Sequence, residues 1–161
     1  TGTYVDAPFH RFADGLDLSE LPLESLVNLE AVVVRTNEPV IDVNSFHPIN
    51  PAGKAILVHA GWSRHWRTDQ YFEGHPYLTE DAAVYLRDHG AALVGIDSLN
   101  IDTINGGHRP VHTTLLGADI PIAEHLTNLD QVPDQEFRFY AAPVKVKKMG
   151  TFPVRAFAII D

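Results

Sequence analysis

The chain has 161 residues, of which 45% are hydrophobic and 20% charged, and it contains no cysteine. This composition is typical of one globular domain that buries a sizeable core, and it excludes disulfides and thiolate metal sites. The formal net charge of −9, from 21 acidic and 12 basic residues, argues against nucleic acid or an anionic membrane as a partner.

The first half of the chain contains one predicted helix, two predicted strands and a long irregular segment. Leucines at four positions between 18 and 26 predict a short helix over residues 19–27, with Pro22 in its first turn. Compact apolar segments rich in β-branched residues predict buried strands at 31–35 and 55–59. Residues 61–78 carry two tryptophans, two tyrosines and a phenylalanine. So many aromatic residues indicate a pocket wall, an interface or a long loop that packs on its own core.

A second helix and a third strand are predicted in the middle of the chain. Thr79 is a typical helix N-cap, and two acidic residues follow in the first turn, where the helix dipole favours negative charge. The helix is expected to end at His89-Gly90, with glycine in the usual C-terminal position. Residues 92–96 predict a strand that ends at Asp97, an order typical of α/β folds with sites at strand ends.

The last third of the chain is predicted to consist mostly of strands. Residues 120–122 predict a short strand. The apolar segments 137–146 and 154–160 predict two antiparallel strands joined by a turn at 149–151. Because predicted strands outnumber predicted helices, the expected fold is a β-rich mixed α/β domain, a single domain over residues 1–161.

Four side chains are candidates for chemistry. Asp6 and His10 lie in the opening segment, and His112 and Glu124 lie 12 residues apart much later. A hydrolytic metal site needs a few such ligands around an open position for water, although a structural histidine and a solvated carboxylate would look the same on spacing alone. The weaker histidine candidates are His59, His65, His75 and His108. Those expected to be solvated are His47, His89 and His125.

Two long segments resemble a known family. Residues 1–10, Thr-Gly-Thr-Tyr-Val-Asp-Ala-Pro-Phe-His, resemble the signature His-x-Gly-Thr-His-x-Asp-x-Pro-x-His of the metal-dependent cyclase and kynurenine formamidase family. Residues 112–129 resemble its second conserved block. They contain His112, then Leu-Leu-Gly, and then a glutamate before Leu-Thr-Asn-Leu. Similar short segments between and after these blocks extend the resemblance over essentially the whole chain. It implies the family's swivelling β/β/α domain, a β-rich mixed sheet with flanking helices, assembled as a homodimer or homotetramer.

The resemblance also implies roles for the four candidate residues. In the family, one metal is held by the first two histidines of the signature and by its aspartate. A second metal shares that aspartate and adds the later histidine and the glutamate. Carried over by position, Asp6, His112 and Glu124 are metal ligands, and His10 is the catalytic proton shuttle. The first signature histidine would precede Thr1, so we expect the N-terminal part of the family domain to be absent, and Tyr4 replaces the second.

Tyr4 changes the metal chemistry that the resemblance implies. A neutral phenol, with an ordinary pKa of about 10, is a poor zinc ligand at neutral pH. Asp6, His112 and Glu124 still form an oxygen and nitrogen set that suits zinc or manganese. Three interpretations stay open: a one-metal hydrolase that uses this set, a site in which Tyr4 acts as a hydrogen-bond donor or acid, and a metal-free relative that only binds a ligand.

The first interpretation gives the predicted function. We expect metal-activated water to hydrolyse a small amide, either an aryl formamide such as N-formylkynurenine or a cyclic amide. The alternative is a metal-free or non-catalytic protein of the same fold that binds a small molecule. No apolar segment approaches the roughly 20 residues of a membrane span, and we predict a cytoplasmic protein. The residues expected to line the substrate pocket are Tyr4, Trp62, Trp66, Tyr71 and Phe72.

Overall fold

An eight-stranded sheet forms the centre of the molecule, and two helices lie against one of its faces. The structure is a computed structural model that describes residues 2–160. The two ends of the predicted domain, Thr1 and Asp161, lie outside the described residues. The strands are β1 (Tyr4–Asp6), β2 (Leu29–Arg35), β3 (Val40–Ile41), β4 (Ala55–His59), β5 (Tyr77–Leu78), β6 (Leu93–Ile96), β7 (Ile122–Glu124), β8 (Phe137–Tyr140), β9 (Thr151–Pro153) and β10 (Phe157–Ile160), and the helices are α1 (Glu80–Asp88) and α2 (Pro110–Leu116).

The sheet is mixed, with a parallel centre and antiparallel edges. Its strand order is β10-β8-β2-β4-β6-β7-β1-β9. The four central strands, β2, β4, β6 and β7, run parallel, whereas β8, β10, β1 and β9 pair antiparallel with their neighbours. Strands β3 and β5 form a separate parallel pair. The predicted β-rich mixed sheet with flanking helices is confirmed.

Both faces of the central strands are buried, which explains why these strands are continuously apolar in sequence. Because successive side chains of a strand point to opposite faces, Val32 and Val34 contact α1 and α2 in one core cluster. Ala31 and Val33 belong to a second cluster on the other face, together with the phenylalanines of β8. The sheet therefore separates two cores, and the candidate site residues lie on the helical side.

The predictions with the strongest local signals are confirmed. Strands occur at 29–35, 55–59 and 93–96, and α1 begins after Thr79, whose hydroxyl accepts a hydrogen bond from the backbone N–H of Ala82 at 3.2 Å. Gly90 ends the helix with a φ of +73°, a conformation that favours glycine. Across residues 2–160, neither helix has the length and apolar composition needed to cross a lipid bilayer.

The predicted helix over residues 19–27 is wrong. This segment contains only a short 3-10 turn at Leu23–Ser25, and the chain then turns through Asn28 at a φ of +55° into β2. Leu18, Leu21 and Leu26 are buried in the second core cluster although they do not share a helix. The spacing of these leucines therefore reflects burial of an irregular segment in the core. A segment this short does not form a stable helix by itself.

The predictions for the last third of the chain are partly wrong. Strand β7 begins at Ile122, so it lies two residues later than predicted. Strands β8 and β10 pair antiparallel as expected, but residues 149–151 are not the turn between them, because β9 lies at the opposite edge of the sheet, paired with β1. Helix α2 was not predicted, since it has only seven residues and begins after Arg109, whose side chain makes no cap hydrogen bond.

Candidate metal centre

The pairing of β1 with β7 places three polar side chains on one face of the sheet. Tyr4 lies directly opposite Glu124 in the antiparallel register, and Asp6 lies opposite Ile122. Residues two apart on a strand share a face, so Tyr4, Asp6 and Glu124 all point toward the helical side. Val5 lies between Tyr4 and Asp6 and belongs to the core cluster on the other face.

Helix α2 brings His112 to the same place. Pro110 occupies the first turn, where its missing N–H is not needed. His112 lies on the buried side of the helix between Val111 and Leu115. Asp102, from the loop before α2, accepts backbone hydrogen bonds from Val111 and His112, both at 2.9 Å. The loop carboxylate therefore fixes the start of the helix that carries the imidazole.

Asp102 also fixes the orientation of the His112 ring. The Nδ1–H of His112 donates to Asp102 Oδ2 at 2.6 Å, which directs Nε2 toward the sheet. A carboxylate behind an imidazole is the arrangement that typically orients histidine ligands of metals. The sequence analysis missed Asp102, because its partners lie nine and ten residues further along the chain and no local pattern marks the contact.

Asp6, His10, His112 and Glu124 form one cluster that is linked through Asp6 and His112. His112 Nε2 lies 3.6 Å from Asp6 Oδ2 and 3.6 Å from Glu124 Oε1. His10 Nδ1 lies 3.8 Å from Asp6 Oδ1. Asp6, His112 and Glu124 are buried, whereas 31% of the His10 side chain is exposed. The structure thus brings together all four residues that the sequence analysis selected, and His10 lies at the solvent side of the cluster.

The opening segment is held in place by the segment before β9. The backbone N–H of Ala7 donates to the carbonyl of Gly150 at 2.7 Å. A Cβ atom at position 150 would run into the backbone of His10, so only glycine allows this close approach. The proximity of these two segments sets the position of the turn Pro8–His10, and hence of the imidazole, relative to Asp6.

Tyr4 contacts the cluster through Glu124. Its hydroxyl donates to Glu124 Oε2, while the backbone N–H of Ile101 donates to Glu124 Oε1 at 2.6 Å. Burial raises the pKa of Glu124, and burial together with the charge of Glu124 raises the pKa of Tyr4. Tyr4 is therefore a neutral hydrogen-bond donor that holds the carboxylate in place.

The buried atoms at the centre of the cluster fit a divalent cation. Among the described residues, Asp6 Oδ1, Asp6 Oδ2 and His112 Nε2 are buried without a hydrogen-bond partner. One ligand atom from each of Asp6, His10 and His112 lies within 4.8 Å of the others. Burial works to lower the pKa of His112, but the hydrogen bond to Asp102 and the carboxylates of Asp6 and Glu124 outweigh it and raise this pKa to about 9. The position that Nε2 faces therefore stabilises positive charge.

An aromatic cavity lies beside Tyr4. Trp66, Tyr71 and His125 line a cavity of about 250 Å³. The Tyr71 hydroxyl is hydrogen-bonded to His125 Nδ1 at 2.8 Å, and the centroids of the His125 and Tyr4 rings are 5.1 Å apart. The prediction that His125 is solvated is wrong, because its φ of +56° turns the ring back among these aromatic side chains. Burial lowers its pKa to about 4.

The other predicted pocket residues do not all line this cavity. Trp62 lies behind it and donates its ring N–H to the carbonyl of Tyr71 at 3.1 Å. Phe72 is 59% exposed and lines a different cavity beside His75. The structure therefore separates Phe72 from Trp66, although the two residues are only six positions apart.

The weaker histidine candidates lie outside the metal cluster. His59 ends β4, with Nε2 3.9 Å from a carboxylate oxygen of buried Asp97. His75 is buried and its Nδ1 lies 3.1 Å from the carbonyl of Pro76. His65 packs against Trp62, and His108 is exposed in the loop before α2.

Replacement of Asp102 tests how the imidazole is held. In Asp102→Asn the amide NH₂ must face an N–H group that donates to the carboxylate in the wild type. Because an NH₂ group cannot accept this hydrogen bond, we expect a loss of roughly 1–3 kcal/mol in the free energy of unfolding. Because the ring loses its fixed orientation, metal affinity should fall about 10- to 100-fold. Urea unfolding and competition with a chelator measure the two effects. Unchanged chelator competition would show that Asp102 does not position His112.

Comparisons with known proteins extend over nearly the whole chain. The Cyclase family model, described as "Putative cyclase", matches residues 1–103. The kynurenine formamidase of Geobacillus thermodenitrificans (strain NG80-2) is 31% identical over 158 residues, covering 97% of this chain and 74% of that protein. Isatin hydrolase A from Ralstonia solanacearum matches with a TM-score of 0.89 at 26% identity, over 100% of this chain and 72% of that one. A potential metal-dependent hydrolase with cyclase activity matches with a TM-score of 0.77 at 30% identity, over 97% and 76%.

Proposed function

The chain belongs to the Cyclase family and is a metal-dependent amide hydrolase, and from this premise we propose that its substrate is an aryl formamide, such as N-formylkynurenine, or a cyclic amide. One observation carries the proposal: three buried polar atoms of Asp6 and His112, without a hydrogen-bond partner within residues 2–160, lie beside Glu124. Burying such atoms without a partner is unfavourable, and a bound cation would satisfy them. The hydrolase relatives do not favour the metal-free alternative.

We assign the metal to Asp6, His112 and Glu124 rather than to Asp6, His10 and His112, whose ligand atoms also lie within 4.8 Å of one another, because Glu124 is buried and His10 is open to solvent. Two carboxylates and one imidazole suit zinc or manganese. A divalent ion bound there supplies Lewis acidity, which lowers the pKa of water and polarises an amide carbonyl. Tyr4 holds the Glu124 carboxylate by its hydroxyl hydrogen bond. Three further points stay predictions: the choice between zinc and manganese, the assembly as a homodimer or homotetramer, and the cytoplasmic location.

His10 is assigned the proton transfers. It lies beside Asp6 but is open to solvent, so a substrate can reach its ring. In this proposal the imidazole accepts a proton from the water molecule that adds to the amide carbonyl. As the C–N bond breaks, the imidazole returns that proton to the leaving nitrogen, so one amide and one water give one carboxylic acid and one amine.

The aromatic cavity is assigned to the aryl part of the substrate. Trp66, Tyr71 and His125 offer ring surface in a cavity of about 250 Å³, and Tyr4, whose ring centroid lies 5.1 Å from that of His125, donates to Glu124. Pockets of this kind are mostly apolar, with a few polar groups that orient the ligand. Trp62 supports Tyr71 from behind. Phe72 faces another cavity and is given no contact with the substrate.

The proposal is tested by stripping the protein with a chelator and reloading it with zinc or manganese. We expect the reloaded protein to hydrolyse N-formylkynurenine, isatin or both, and the stripped protein to hydrolyse neither. Product formation is followed by chromatography, and metal content is measured on the same samples. A fully loaded protein that hydrolyses neither substrate would contradict the proposed substrate class.

A further inference from the structure

A basic concavity lies next to the metal cluster. Arg11 and Arg109 line a cavity of about 330 Å³ with His108, Thr113 and Glu80. Both arginines are exposed. Although the chain has a net charge of −9, the two arginines at this cavity outnumber its one carboxylate, Glu80.

Both arginines of this basic cavity are close in sequence to residues of the cluster. Arg11 follows His10, and Arg109 immediately precedes α2, which carries His112. Arg11 Nε donates to Thr113 Oγ1 at 3.0 Å, and the Thr113 hydroxyl donates to the carbonyl of Arg109 at 2.8 Å. These bonds hold the opening segment and the start of α2 side by side.

Among the described residues, the two guanidinium groups have no ionic partner. Within residues 2–160, neither Arg11 nor Arg109 forms an ion pair within 4.0 Å, and the Glu80 carboxylate that lines the same cavity does not approach that closely. The two guanidinium groups can therefore bind an anionic group of a substrate.

We propose that Arg109 and Arg11 select substrates that carry a carboxylate close to the amide that is hydrolysed. The inference rests on the proposed function and adds a specificity determinant to it. A guanidinium group presents its N–H donors in a planar fork that matches a carboxylate, which makes arginine better suited to this task than lysine. The carboxylate is bound at the basic cavity, and the adjoining amide lies at His10.

Two substrates that differ only in the carboxylate test this proposal: 2-formamidobenzoate and formanilide. We expect Arg109→Ala to reduce the ratio of their kcat/KM values, charged over neutral, by about tenfold or more, mainly through a higher KM for the charged substrate. Arg11→Ala should act in the same direction, and Arg109→Lys should lie between wild type and Arg109→Ala. Arg87→Ala, which removes an exposed arginine of α1 that pairs with Asp88, is the control and should leave the ratio unchanged.

Equal losses on both substrates in Arg109→Ala would overturn the proposal, since a merely structural arginine affects both alike. A wild type that hydrolyses neither formamide contradicts the proposed function instead. In that case, calorimetric titration of the metal-loaded protein with benzoate decides the inference. Binding that is weakened in Arg109→Ala but not in Arg87→Ala supports it, and equal binding by the three proteins overturns it.

Discussion

Asp6→Asn is expected to reduce the metal content of the purified protein to background and kcat/KM by about a thousandfold or more. Asp6 is buried, and neither of its carboxylate oxygens has a hydrogen-bond partner among the described residues. Asparagine keeps the size of the side chain but removes its charge. Loss of a Lewis acid worth several kcal/mol of transition-state stabilisation corresponds to a factor of that order.

Metal-dependent stability provides a second measurement of the same variant. A ligand that binds only the folded state raises the melting temperature, so added zinc or manganese should raise Tm of the wild type and leave that of Asp6→Asn unchanged. Asp14→Asn is the matched control, since it removes an exposed carboxylate from the loop that follows the opening segment. Wild-type metal content and turnover in Asp6→Asn would show that the ion is bound elsewhere.

His10→Ala is expected to lower kcat by about 10²- to 10⁴-fold while the metal content stays at the wild-type level. This range is what general acid–base catalysis typically contributes. The structure makes the experiment decisive, because His10 lies 3.8 Å from Asp6 and has the spacing of a ligand as well as that of a proton shuttle. Elemental analysis and turnover of the same preparation separate the two roles.

The companion variant Glu124→Gln is expected to lose metal. Both Glu124 oxygens already accept a hydrogen bond, from Tyr4 and from Ile101, but each keeps a further lone pair for an ion. If His10→Ala loses its metal and Glu124→Gln keeps it, then Asp6, His10 and His112 form the metal site, and the assignment of roles made here is wrong.

Elements with strong local signals could be predicted from the sequence. Strands β2 and β4 are buried on both faces, and their continuous apolar sequence predicts this burial. Helix α1 carries its own start and end signals in Thr79 and Gly90. The hydrogen bond and the backbone angle that mark the ends of α1 lie within its own segment, so no distant part of the chain was needed to recognise it.

Elements that depend on distant partners could not be predicted. Strand β9 is three residues long and exists because β1 lies beside it. Leu18 and Leu26 suggested a helix, although the second core cluster buries them from an irregular segment. His125 was expected in solvent, but its left-handed backbone places the ring beside Tyr71. In each case tertiary contacts decided the outcome, and the local sequence carries no trace of them.

The sequence by itself determined which residue types are available for chemistry: Asp6, His10, His112 and Glu124, with Tyr4 in place of a histidine. Only the tertiary structure decided that these side chains meet, because the register of β1 with β7 joins Tyr4 and Glu124, which lie 120 positions apart, and the hydrogen bonds of Asp102 orient His112 toward them. It alone also showed that Arg11 and Arg109 share one cavity beside them. Distances between side chains depend on how the chain packs, and packing sums many contacts that no single segment encodes.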